Sequence, residues 1–139
     1  GSCHARQVLR TPGVILEACV QGGLRYLYHE EGALKREDGS VVLHGEMDAL
    51  ENAGRRPARV YRDCVLYTTL SPCAMCSGAI LLYGIPRVVI GENRSFMGEE
   101  ALLNARGVTT QVLQDASCID MMRRFTLDRP ELWNEDIGE

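Results

Sequence analysis

Cys64-Val-Leu-Tyr-Thr-Thr-Leu-Ser-Pro-Cys-Ala-Met-Cys-Ser-Gly-Ala-Ile-Leu-Leu-Tyr-Gly84 carries a strand signal and a helix signal in direct succession, and the fold class follows from that order. Residues 64–70 form a short run rich in β-branched and aromatic side chains, which fits a buried strand. Ser71-Pro72 then opens a helix, with Ser71 as N-cap, Pro72 at the first helical position and Gly84 as the stop. The same alternation continues downstream. Arg87-Val-Val-Ile90 reads as a strand closed by Gly91, residues 99–106 as a helix stopped by Gly107, and residues 109–113 as a third strand. Residues 117–128 read as a helix with Ile119, Met122 and Phe125 on one face, ended by Pro130. Strands separated by helices of this length imply crossover connections and a largely parallel sheet covered by helices, so the class is α/β.

Upstream, residues 44–53 read as a helix with Met47, Leu50 and Ala53 at three-residue spacing, Glu46 and Asp48 near its start and Gly54 as its stop. A helix over residues 14–20 ending at Gly22-Gly23 fits the first part of the chain, and residues 33–35 with 40–42 fit a hairpin around Asp38-Gly39. There is no internal repeat and no linker.

The 139 residues, 45% hydrophobic and 24% charged, match one compact soluble domain. A net charge of −4 lacks the basic footprint of a protein that holds nucleic acid through its phosphates, so stable nucleic-acid binding is not expected and a small ligand is. No apolar run approaches the roughly 18 residues that span a bilayer, and Glu17 interrupts Val14-Ile15-Leu16, so neither a signal peptide nor a membrane span is expected. Gly1-Ser2, in place of an initiating Met, is consistent with a cloning remnant and is set aside in reading the fold. Six cysteines in a chain of this kind are expected to be reduced thiols of the cytoplasm or nucleus rather than a disulfide framework.

Cys73 and Cys76 stand at i and i+3 of a helix start, where orphan N–H groups and the helix dipole favour thiolates. Two preorganised thiolates suit zinc, and the same C-x-x-C also suits a thioredoxin-like redox pair; the motif alone leaves both open. His44-Gly45-Glu46 carries little by itself. It gains weight because His44 starts one helix and Cys73 the next with a strand between them, so both helix N-termini can meet at one sheet edge. One imidazole and two thiolates leave a fourth tetrahedral position open, as in catalytic zinc. Glu46, two residues from a ligand, can accept a proton from metal-activated water and pass it to a substrate nitrogen. H-x-E…P-C-x-x-C is a recorded signature of zinc deaminases, so this assignment is a match to a known pattern. Cys3, Cys19, Cys64 and Cys118 read as small hydrophobes, and His4 and His29 as surface or loop residues.

The segments 43–54, 66–80, Tyr83-Gly-Ile-Pro-Arg-Val-Val-Ile-Gly-Glu-Asn93 and the ending Glu135-Asp-Ile-Gly-Glu139 resemble the fungal cytosine deaminases. The resemblance covers residues 39–139, with residues 1–38 divergent, in a single zinc-dependent deaminase domain. It implies a three-layer α/β/α cytidine-deaminase-like sandwich around a mixed, mostly parallel sheet. It further implies a homodimer, one Zn2+ per subunit held by His44, Cys73 and Cys76, and hydrolysis of free cytosine to uracil and ammonia in pyrimidine salvage. By the same resemblance Trp133 and Phe96 form a lid and apolar walls, Asp136 accepts the 4-amino group, and Ser71 with the Gly45 and Cys73 backbone lines the site. A closed lid would select a free base, since it leaves no room for ribose. Without the resemblance the tail reads as a frayed acidic terminus.

One departure stands out. Family members carry a Gly-His-Asn element before the His-Gly-Glu helix whose Asn binds the pyrimidine edge, whereas the first Asn here is Asn52. Residues 37–42 run straight into Leu43-His44, so the sheet order is not expected to complete normally. Loss of one site hydrogen bond costs on the order of 1–3 kcal/mol. The alternatives to a cytosine deaminase are therefore a catalytically impaired zinc-binding homologue and a deaminase of another base or nucleoside.

Overall fold

A computed structural model describes residues 14–20, 23–29 and 40–139. Five strands form one sheet: β1 (Val14–Val20), β2 (Gly23–His29), β3 (Cys64–Leu70), β4 (Arg87–Glu92) and β5 (Thr109–Val112), in the order β2-β1-β3-β4-β5. β3, β4 and β5 are parallel neighbours, whereas β1 runs antiparallel to both β2 and β3. The described helices are α1 (Gly45–Ala53), α2 (Ala58–Arg62), α3 (Ala74–Tyr83), α4 (Glu100–Ala105), α5 (Ala116–Asp128) and α6 (Pro130–Asp136).

The period-2 alternation of the strands sends their side chains to two different cores. Cys64 and Leu66 of β3 and Val88 and Ile90 of β4 pack with Ala49, Leu50 and Ala53 of α1, Tyr61 of α2, Ala79 and Ile80 of α3, and Leu103 of α4. The intervening positions, Val65, Tyr67 and Val89, meet Cys118 of α5. Helices thus cover both faces, and the α/β/α layering expected from the sequence is present. Its larger core lies on the face of α1 to α4.

The β-α-β-α-β run over residues 64–112 forms as read, with α3 stopped by Gly84 in the left-handed region (φ 69°), which costs glycine nothing. Four readings are corrected. Residues 14–20 are a strand, not a helix: a short apolar run is ambiguous locally, and antiparallel neighbours on both sides settle it. These two strands also complete the sheet that residues 37–42 were expected to leave unfinished. Residues 40–42 are no hairpin strand, because they turn into α1, with Leu43 N–H donating to Ser40 Oγ (3.1 Å) and His44 N–H to the Val42 carbonyl (2.8 Å); residues 33–39 lie outside the described residues. Ser71 does not cap α3. Its hydroxyl is engaged elsewhere, and Cys73 is the N-cap with α3 beginning at Ala74.

Beyond α5 the chain does not fray. Pro130, whose fixed φ suits a first helical turn, starts α6, which continues through Asp136. Among the described residues no helix is long and apolar enough to cross a membrane.

Candidate active site

The centre of the site is the meeting of two helix starts beside β3. His44 is the N-cap of α1, Cys73 the N-cap of α3, and Cys76 lies buried in the first turn of α3. His44 Nδ1 stands 3.5 Å from Cys73 Sγ and 3.8 Å from Cys76 Sγ, and the three donor atoms all lie within 4.8 Å of one another. Tetrahedral zinc, with Zn–S of about 2.3 Å and Zn–N of about 2.0 Å, would place its N and S donors about 3.6 Å apart. The donor set therefore fits that ion in chemistry and in spacing.

Electrostatics couple the three. The Cys76 thiol, donating to Cys73, is the main cause that brings the Cys73 thiol down to about 4, and the His44 imidazole adds to it. Cys76 is pushed the other way, first by its bond to Cys73, then by burial and by the charge and hydrogen bond of Glu46. The hydrogen bond to Cys73 raises His44 against its own burial, with Glu46 and Asp136 adding to the rise. Without a cation the pair shares one proton; a divalent cation would release it.

Glu46 lies in the first turn of α1, 8% exposed, and accepts a hydrogen bond from Thr68 Oγ1 on β3 at 2.5 Å. Gly45, the first residue of α1, is half-buried beside it. The influence of Asp136 on His44 brings the last residue of α6 within electrostatic reach of the same centre.

Phe96 and Trp133 meet edge to face at a centroid distance of 6.1 Å, and Phe125 of α5 meets Trp133 in the same manner at 6.4 Å. The loop over residues 93–99, which carries Phe96, is clamped to the segment leading into Cys73. Gly98 N–H donates to Ser71 Oγ (2.9 Å), Glu99 N–H to the Pro72 carbonyl (3.0 Å), and Ser71 Oγ to Glu100 Oε2 (2.5 Å). Asn93 Nδ2 donates to Glu100 (3.2 Å to Oε2), and the buried Glu92 accepts from the Arg94 and Ser95 amides. A Cβ at Gly98 would fall 1.9 Å from the Pro72 carbonyl oxygen, so only glycine permits this approach.

Of the residues the sequence points to, His44, Cys73 and Cys76 form one cluster with Glu46 on the same helix start, Phe96 and Trp133 meet each other, and Ser71 has a different part from the one expected. The Ser71 side chain, 2% exposed, is spent on the clamp. Thr68, Gly98 and Glu100 escaped the sequence reading, and Phe125 was read only as part of a helix face. Of the first three only Thr68 left a signal, as a hydroxyl inside a buried strand. Asn52 is exposed on α1 and takes no part.

The chain is 61% identical over 100 residues to a cytosine deaminase of Candida albicans, an alignment that covers 72% of this chain and 67% of that protein. It is 34% identical over 102 residues to a tRNA-specific adenosine deaminase of Streptococcus pyogenes, covering 66% of this chain and 64% of the relative. The chain therefore spans about two thirds of the length of these relatives. The fold resembles that of a guanine deaminase of Nitrosomonas europaea, with a TM-score of 0.59 at 19% identity, covering 90% of this chain and 82% of that one; at such identity the likeness speaks to the fold alone. Residues 19–92 match the model of the cytidine and deoxycytidylate deaminase zinc-binding region, reaching upstream of residue 39, where the resemblance in sequence began. With the matched segment spanning both helix starts that carry His44, Cys73 and Cys76, the chain belongs to the cytidine and deoxycytidylate deaminase zinc-binding family.

Proposed function

We propose that this chain is a single zinc-dependent domain that hydrolyses free cytosine to uracil and ammonia, a pyrimidine-salvage reaction, acting as a homodimer in the cytoplasm. The observation that carries the reading is the buried Glu46 carboxylate, hydrogen-bonded beside the His44, Cys73 and Cys76 donor cluster. The identity to a protein named cytosine deaminase supports the choice of base. The thiols of Cys64, Cys73, Cys76 and Cys118 are all free, which suits a reducing compartment.

His44, Cys73 and Cys76 would hold the zinc. When bound, it supplies the Lewis acidity that makes water a nucleophile near neutral pH. Glu46 takes the proton of the attacking water, delivers it to ring N3, and then carries the second proton to the departing amine, so that cytosine and water leave as uracil and ammonia. Asp136 accepts an N–H of the 4-amino group and orients it. Phe96 and Trp133 cover the ring and keep bulk water from it, and the backbone of Gly45 and Cys73 lines the floor. Ser71 holds the Phe96 loop in place through its hydroxyl.

Ammonia release together with the ultraviolet change from cytosine to uracil tests the reading, with Glu46→Gln as control. Turnover should fall by about 10²–10⁴-fold in that variant with zinc retained. Wild-type activity no greater than that of Glu46→Gln would overturn the enzyme, and turnover of cytidine equal to that of cytosine would overturn the free-base lid. Sedimentation at one chain mass would overturn the dimer.

A further inference from the structure

Thr68 is 1% exposed in the middle of β3, on the sheet face shared with Leu66 and covered by α1. Leu66 and Ile90, its neighbours along β3 and across on β4, are buried and apolar. A hydroxyl buried there without a partner would forfeit its hydration with nothing in return, so its presence calls for a partner of matching chemistry. Thr68 Oγ1 lies 2.5 Å from Glu46 Oε1 and 3.3 Å from the Leu70 carbonyl oxygen, and the single O–H proton follows the shorter, charged contact. Glu46 itself has three side-chain torsions to restrain. Its backbone is fixed by α1, yet α1 alone does not fix where the carboxylate points.

We infer that Thr68 is a positioning residue for Glu46: its hydroxyl holds one carboxylate oxygen and so keeps the other free for proton exchange beside the His44, Cys73 and Cys76 cluster. This rests on the proton-carrying part assigned to Glu46. A proton carrier serving two sites in one reaction gains from a single pinned oxygen, because the pin limits rotation to a small arc without occupying the exchanging atom. The strand supplies the pin because β3 is buried on both faces and cannot move with the substrate.

The test uses the zinc-loaded protein and has two readouts. In the first, Thr68→Val, which keeps the shape and removes the hydroxyl, is combined with Glu46→Leu in a double-mutant cycle of urea unfolding. The two changes should couple by about tenfold in the unfolding constant. In the second, Thr68→Val should lower kcat on cytosine by about 10–100-fold with KM within about threefold, and Thr68→Ser should restore kcat to within about threefold of wild type. A cycle without coupling overturns the inference. So does a Thr68→Val enzyme with wild-type kcat, or a Thr68→Ser enzyme as slow as Thr68→Val at full zinc content. If the wild-type protein turns over no cytosine, the proposed reaction fails by itself, and the unfolding cycle still decides whether Thr68 holds Glu46.

Discussion

The corner that gathers His44, Glu46, Cys73 and Cys76 and the tail that carries Trp133 and Asp136 are built on opposite plans. Behind the corner, Ala49, Leu50 and Ala53 of α1 and Ala79 and Ile80 of α3 are buried against β3 and β4, so the ligands are fixed by the main core. In the tail, α6 has no buried residue, and Trp133 is held by two aromatic edges, Phe96 and Phe125. A metal site needs donors preorganised within a few tenths of an ångström, which a close-packed core provides. Shallow edge-on contacts, by contrast, let an element shift at little cost, which suits the cover proposed for Trp133.

Matched truncations at the two regions test this contrast. Ile80→Ala, fully buried behind Cys76, should cost about 2–5 kcal/mol of stability in urea unfolding and weaken zinc retention. Trp133→Ala should cost less than about 2 kcal/mol, leave zinc content unchanged, and raise KM for cytosine by about 5–100-fold, the value of one lost base–aromatic stack. Equal stability losses at the two positions would contradict the division of labour.

Gly98→Ala bridges the regions, because the added methyl meets the Pro72 carbonyl next to Cys73 on one side and displaces the Phe96 loop on the other. The expected cost is about 1–3 kcal/mol of stability, with the loss of activity appearing mainly in KM. A loss confined to zinc affinity would place the clamp wholly in the metal corner.

The smallest effect concerns pH. Burial pushes the Cys118 thiol up to about 12 and the Cys64 thiol up to about 11, against 9.0 for a free thiol. Both are neutral when folded and ionise more readily when unfolded. Their contribution is therefore whole below pH 9 and lost as pH rises from 9 through 11 and 12. Cys118 is the buried residue of α5, whose Phe125 props the tail, so the fluorescence of Trp133, the single tryptophan, should change within that alkaline window. A Cys118→Ala protein should show a shallower fall of Tm between pH 9 and 11.

The legibility of the two regions followed their construction. α1 and α3 were readable because apolar spacing, glycine stops and C-x-x-C are local patterns, and the parallel strands because residues 64–70 and 87–90 are compact apolar runs. Residues 14–20 were misread as a helix, since seven residues with a mixed apolar pattern acquire strand character only from neighbours on both sides. α6 went unread as a helix because seven residues with no buried side chain carry no periodic signal, and the expected cap Ser71 was drawn away by Glu100 and Gly98 from far along the chain.

Residue identity and short spacings were enough to read the α/β class, to point to His44, Cys73 and Cys76 with Glu46 beside them, and to recognise the family. The folded chain had to supply the rest: Thr68 grips Glu46 across 22 residues, Gly98 and Glu100 lock the Phe96 loop to the Cys73 segment, and Trp133 of the tail meets Phe96. Such contacts join positions with no fixed spacing, and they form only once the sheet order has brought one element against the other.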